Sequence, residues 1–175
     1  MKDIPALGMG TFRLKGETAY QAVTDALDVG FRHIDTAQIY DNESEVGAAL
    51  ADFELEREDY FLTTKVWNSH LNRTGFIPSV KESLEKLSVD YVDLLLIHWP
   101  SPEDNTPMDE YLGELLKAKQ QGLTKHIGVS NFTIGQLKDA LRILPAGELY
   151  LNQVEVQPYL QNHDLRAFCA SNAVS

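Results

Sequence analysis

One cysteine, Cys169, stands in the whole chain, so no internal disulfide can form and no thiolate cluster exists for a structural zinc. It lies in the helical pattern RAFCAS with no activating partner nearby in sequence, and reads as a plain thiol. Positive charge is scarce. Fifteen Lys plus Arg against 26 Asp plus Glu give a formal net charge of -11, which argues against nucleic acid as a partner. A small anionic cofactor stays compatible, because a few local amides and cations hold a phosphate whatever the overall sign. Long apolar runs are missing as well. The longest, LLLI within DLLLIHWP, is far too short to span a bilayer, and MKDIPALGMG lacks the apolar core of a signal peptide. The expectation is a cytoplasmic protein without a membrane partner. The sequence also lacks a glycine-rich dinucleotide loop, since GMG has no third glycine at the required spacing and no strand pattern before it.

What is present is an alternation of helical and strand-like patterns. IPALGMGTFRL, with Pro and closely spaced Gly, reads as a hairpin or an irregular lead-in. GETAYQAVTDALDVG then puts Ala22, Val23, Ala26 and Leu27 on one face at helical spacing and stops at Gly30. Strands are predicted in FRHIDTA, YFLTTKV, YVDLLLIHW, HIGVS and YLNQVEV. Helices are predicted in ESEVGAALADF, IPSVKESLEKL, MDEYLGELLKAKQQG, IGQLKDALRIL and DLRAFCAS, and NAVS opens a further strand. In YVDLLLIHW the residues Val92, Leu94 and Leu96 alternate with Leu95 and Ile97, so the strand is covered on both faces, as in parallel sheets with helical crossovers. The fold class is α/β with a parallel sheet.

In parallel α/β folds the carboxyl ends of neighbouring strands meet on one face. Asp35, Lys65 and His98 each close a strand pattern, and Tyr40 follows Asp35 by five residues, close enough for a turn to return its hydroxyl over the strand ends. Together they make a proton-transfer centre. A phenol titrates near ~10, so the ammonium of Lys65 is expected to stabilise its anion while Asp35 orients Lys65. Taken singly, each residue has an ordinary structural explanation as a cap, a packed ring or a hydrogen-bonded core histidine; the joint arrangement is what points to chemistry. Trp67 and Trp99 directly follow two of these strands and, with Phe12, suggest the walls of an aromatic slot.

Two longer motifs carry a resemblance. GFRHIDTAQIYDNESEVG is similar to the first signature of the aldo-keto reductases, and LLKAKQQGLTKHIGVSNF to the second, within a likeness running from LGMGTFR through LNQVEVQPYLQ. The resemblance implies a (β/α)8 TIM barrel that reduces small aldehydes and ketones, of the 2,5-diketo-D-gluconate or methylglyoxal type, with NADP(H). It implies Tyr40 as the general acid, tuned by Asp35 and Lys65, and His98 as the residue that orients the carbonyl. Ser130, Asn131 and Gln153 match the residues that hold the nicotinamide carboxamide. Gly10, Thr11 and Phe12 match the segment nearest the ribose and pyrophosphate, and Asp35 belongs to the cofactor side too. The substrate pocket would comprise Phe12, Trp67, His98 and Trp99. No metal is implied, and the full-length protein would be a monomer.

Such a barrel takes about 250 residues. Family members carry a basic segment that grips the 2′-phosphate, and an aromatic that stacks on the nicotinamide, later in the chain than this sequence reaches. The expectation is therefore that residues 1–175 are the amino-terminal part of a single barrel domain, truncated after about five strand-helix units. Two other readings stay open. One is a non-catalytic NADP(H)-binding or fragment module; the other is a metal-dependent hydrolase using His33, Asp35, Lys65 and His98 as ligands.

Overall fold

A computed structural model describes residues 4–102 and 105–175. The elements run β1 (Met9–Gly10), α1 (Gly16–Asp28), β2 (His33–Asp35), α2 (Glu43–Asp52), β3 (Phe61–Val66), α3 (Phe76–Leu87), β4 (Val92–Ile97), α4 (Met108–Gln120), β5 (Thr124–Ser130), α5 (Ile134–Ile143), β6 (Leu149–Gln153) and α6 (His163–Ser171), with short 3-10 turns between some of them. The six strands pair in sequence order, β1 through β6, every pair parallel. Helix follows strand throughout, which is the expected α/β alternation.

The lead-in needs correcting. The segment is irregular as expected except at Met9 and Gly10, which form no hairpin but the first parallel strand, in register with Ile34 and Asp35. Two residues are too few for a period-two pattern to be read, so this strand is legible only from its partner. It brings the count to six strand-helix units. At the other end, Asn172 and Ala173 form a turn after α6 rather than strand, and only Ser175 meets β6, its N–H donating to the Tyr150 carbonyl and its carbonyl accepting from the Asn152 N–H, both at 3.0 Å.

Alternation along the strands sorts side chains into two layers. Ile34, Leu62, Val66, Leu95, Ile97, Ile127 and Val129 join Val23, Leu27, Val46, Val80, Leu84, Leu112, Leu115 and Leu137 of the helices in the main core. Phe61, Leu94, Leu96 and Leu151 form a smaller cluster on the opposite, inner face of the sheet. All six residues of β3 and all six of β4 are buried, as sequences covered on both sides require.

Local chemistry fixes the joints. Gly30 takes a left-handed φ of 99° after α1, while the Phe31 N–H caps the Ala26 carbonyl at 2.8 Å, an ending that favours glycine. Pro78 sits in the first turn of α3, where a missing N–H costs no helical hydrogen bond. Thr133 caps α5 reciprocally: its side chain accepts from the Gln136 N–H at 3.3 Å, and the Gln136 side chain accepts from the Thr133 N–H at 2.9 Å. At the amino ends of the strands, Asp93 accepts from Arg57 at 2.7 Å and from the Leu62 N–H at 2.9 Å, tying β3 to β4 away from the site.

Candidate active site

The carboxyl ends of β2 to β6 carry the polar residues that face inward. Gly10, Asp35 and Thr63 lie level across β1, β2 and β3; Lys65 is level with Leu96 and Gly128, and Ser130 with Gln153. Phe61, Leu94, Leu96 and Leu151 make the apolar part of the inner face, with Leu96 level with Lys65 itself.

Register alone would not aim Gln153. The pairing of β5 with β6 shifts by one residue between Ile127 and Val129, a bulge that turns Gln153 inward beside Ser130. Gly128 makes room for it, because a Cβ there would stand 2.7 Å from the Leu151 carbonyl oxygen and 2.9 Å from Leu96 Cδ2. The turn after β5 is equally specified. Asn131 adopts a left-handed φ of 64°, and the Asn152 side chain brackets Phe132, accepting from its N–H at 3.3 Å and donating to its carbonyl at 3.1 Å.

Lys65 is 1% exposed and has two partners: the Asp35 carboxylate, in a short ion pair, and the Thr36 carbonyl at 2.9 Å. Its Nζ also lies 5.1 Å from the centroid of the Tyr40 ring. Asp35 is held from the far side by Gln153, whose Nε2 donates to Asp35 Oδ2 at 2.8 Å across the mouth of the sheet. Tyr40 ends a 3-10 turn, Gln38–Tyr40, that folds back over the strand ends. Asn42 anchors this turn, donating to the Thr11 and Leu14 carbonyls at 2.9 Å each while accepting from the Thr36 hydroxyl at 2.9 Å. The four residues named from the sequence converge: the rings of Tyr40 and His98 meet edge-on with centroids 5.5 Å apart, and Trp67 meets His98 edge-on at 5.2 Å.

Electrostatics at the site differs from the expectation in one respect. The Tyr40 phenol is pushed up to about 12, first by burial and then by the Asp35 carboxylate. Lys65 does not lower it, because Asp35 balances the ammonium charge at contact distance. Burial lowers the pKa of Lys65 itself while Asp35 opposes the shift. His98 is depressed to about 4 by burial and by the Lys65 charge, so its imidazole is neutral at pH 7, and its Nδ1 is buried without a hydrogen-bond partner. A neutral phenol and a neutral imidazole therefore share the mouth.

These residues open into a cleft of about 560 Å³ lined by Phe12, Tyr40, Trp67, His98, Trp99, Ser130, Asn131 and Gln153. The volume is in the usual range for small-molecule sites. Phe12 stands 5.2 Å from Tyr40 and is 61% exposed, and Trp99 is 47% exposed, so both form the outer rim. Gly10 and Thr11 are not among the lining residues. Gly10 is exposed and level with Asp35, whereas Thr11 is fully buried, its hydroxyl donating to the Asp35 carbonyl at 3.2 Å. Ile39, Val154 and Glu155 complete the cleft and were not singled out from the sequence. The signal for the last two was available, since they continue β6 in QVEV beyond Gln153.

A parallel α/β sheet with this polar, aromatic-walled mouth defines the chain as a protein of the (β/α)8 class with its candidate site at the carboxyl ends of the strands. Residues 6–175 match the Aldo/keto reductase family, and the chain belongs to that family. Methylglyoxal reductase DkgB of Yersinia pestis is 48% identical over 173 residues, covering 99% of this chain and 65% of that protein. Among solved structures, an aldo/keto reductase from Brucella melitensis superposes with a TM-score of 0.93 at 41% identity, covering 98% of this chain and 66% of that one. The Bombyx mori aldo-keto reductase, solved in complex with NADP, gives a TM-score of 0.86 at 37% identity, with coverages of 98% and 61%. The chain thus spans just under two thirds of the length of these relatives.

Proposed function

We propose that the protein reduces small aldehydes and ketones, of the methylglyoxal or 2,5-diketo-D-gluconate type, to alcohols with NADPH, and that residues 1–175 belong to one (β/α)8 domain. The observation that carries this reading is the Lys65–Asp35 ion pair beneath the Tyr40 ring, with His98 edge-on to Tyr40 at the floor of an aromatic cleft. The names of the relatives point the same way.

The residues flanking the cleft fit the nicotinamide end of the cofactor. Gln153 has its amide nitrogen committed to Asp35, and Asn131 has its own committed to the His98 carbonyl at 3.0 Å and to Ser130 Oγ at 3.1 Å. With these nitrogens engaged, the amide oxygens are the groups each side chain has to offer, which suits the NH2 of a carboxamide. When bound, NADPH supplies the hydride. Every other requirement falls on the chain. Tyr40 holds a proton at its phenol oxygen across the neutral range and gives it to the carbonyl oxygen as that oxygen gains negative charge. His98, neutral, offers a ring nitrogen to the same oxygen and so fixes the carbonyl's direction. Lys65 lies beneath the Tyr40 ring, paired with Asp35, which keeps it there. Phe12, Trp67 and Trp99 exclude water along the apolar side.

The hydrolase reading is not favoured by these contacts. Asp35 is engaged by Lys65 and Gln153, and His33 lies 3.1 Å from Thr63 Oγ1, so they do not converge as ligands. The test is NADPH oxidation with methylglyoxal, comparing the parent with Tyr40→Phe. Loss of a positioned acid is expected to lower turnover by at least about 100-fold. Turnover unaffected by Tyr40→Phe would overturn the mechanism, and NADPH binding with no turnover in the parent would favour a non-catalytic binding module.

A further inference from the structure

Gln38 lies outside the cleft, yet its side chain joins two of the loops that form it, those carrying Tyr40 and Trp67. It opens the 3-10 turn that carries Tyr40, and its Oε1 accepts the backbone N–H of Trp67 at 2.8 Å. Its Nε2 donates to Ser79 Oγ at 3.1 Å and to Ser83 Oγ at 3.2 Å, both buried on α3. Three bonds reach two elements besides its own. A glutamine acting only as a solvated surface residue has no need of any of them.

The consequence is geometric. The His98 ring stands between Tyr40 at 5.5 Å and Trp67 at 5.2 Å, so the separation of Tyr40 from Trp67 is the width of the slot in which a substrate meets His98. The Tyr40 loop follows β2 and the Trp67 loop follows β3. β3 holds the Tyr40 loop at its start, where Lys65 Nζ donates to the Thr36 carbonyl at 2.9 Å. Nearer Tyr40 the amide of Gln38 ties that loop to the Trp67 loop, and the serines of α3 hold the amide at a set height. Ser79 strengthens the anchor, because its hydroxyl proton is committed to the Phe76 carbonyl at 2.9 Å and an oxygen lone pair is left to receive Gln38.

We propose that Gln38 is a positioning residue that sets the spacing of Tyr40 and Trp67 and thereby the size of carbonyl substrate the cleft accepts. The substrate part rests on the reductase reading; the positional part does not. Gln38→Met keeps the length of the side chain and removes both ends of its hydrogen bonding. The chain has two tryptophans, so Trp99→Phe leaves Trp67 as the sole reporter. On that background, Gln38→Met is expected to raise acrylamide quenching of Trp67 and shift its emission to the red, with unchanged far-ultraviolet circular dichroism. The double variant Ser79→Ala/Ser83→Ala is expected to do the same to a smaller degree, and it serves if Gln38→Met fails to fold.

With Trp99 intact, Gln38→Met is expected to change the ratio of kcat/KM for phenylglyoxal over methylglyoxal by about tenfold, the scale on which apolar pockets discriminate. A merely structural role would lower both substrates together and leave the ratio fixed. Unchanged quenching of Trp67 in both variants, or an unchanged ratio, overturns the proposal. A parent without turnover removes the reductase reading, and the quenching arm then still decides whether Gln38 positions Trp67.

Discussion

Lys65 is a charge with 1% of its surface exposed, and a buried ion pair is poor evidence of added stability. Its meaning lies in what it does to the phenol above it. Tyr40 is raised by burial and by Asp35, and the ammonium 5.1 Å from its ring is offset by the same carboxylate. Asp35→Asn removes one cause of the rise. The expected outcome is a fall in the Tyr40 pKa from about 12, read as tyrosinate absorbance during a pH titration and isolated by subtracting the same titration of a Tyr40→Phe partner. An unchanged midpoint would mean that burial alone governs the phenol. At this scale the sequence was informative about identity and wrong about sign, since the Lys65 ammonium was expected to lower the phenol that burial and Asp35 raise. Asp35, Lys65 and His98 were legible because each ends a strand pattern, and Tyr40 because a short turn returns it. The direction of the Tyr40 shift depends on how much water the packed loops exclude, which no motif encodes. Nor did any pattern show that Thr11 commits its hydroxyl to the Asp35 carbonyl.

At the scale of elements, α2 and α3 form the backing on which the Tyr40 and Trp67 loops rest. Glu43, in the first turn of α2, accepts from Thr64 Oγ1 at 2.6 Å, which sets the helix against β3 one residue from Lys65. Gly47, one turn further on, lets the helices touch: a Cβ there would stand 2.4 Å from the Lys86 carbonyl oxygen and 2.7 Å from the Leu87 carbonyl carbon. Neither is the end of a flexible side chain, so the helices must part. Gly47→Ala is expected to destabilise the protein by about 1–3 kcal/mol, as overpacking does, seen as a lower urea midpoint at constant slope. Gly113 in α4 is the control. A Cβ there meets nothing within 4 Å, so Gly113→Ala is expected to leave stability unchanged or raise it by up to about 1 kcal/mol through helix propensity. Equal effects at the two sites would refute the packing argument. The helices themselves were legible to within a residue or two, because their apolar spacing is sustained over nine residues or more. The strand Met9–Gly10 was not, because two residues carry no period. The bulge that aims Gln153 was hidden too, since it depends on a register between β5 and β6 that Gly128 permits but does not announce.

For the molecule as a whole, the cost of gathering these groups at a buried mouth should appear as sensitivity to acid. His98 has an ordinary pKa of 6.5 and a folded value of about 4, depressed by burial and by Lys65, with Asp35 opposing; His33 is also lowered by burial. A histidine held neutral in the fold binds fewer protons there than in the unfolded chain. Stability then rises with pH between the folded and unfolded values: the contribution of His98 is complete above about 6.5 and is lost as pH falls toward about 4. Glu43 acts in the opposite sense, since burial raises its pKa above 4.5 and its protonation on folding favours lower pH. Comparing the parent with His98→Gln cancels Glu43 and His33, which both proteins keep. The expected result is that the parent's unfolding free energy falls more steeply than the variant's as pH is lowered through this window, by at most about 1.4 kcal/mol per pH unit for one proton. Urea unfolding at several pH values from neutral down toward 4 measures both slopes. Parallel slopes would mean that His98 takes up its proton as readily in the fold as outside it, and the neutral imidazole assigned to the carbonyl-orienting role would have to be given up.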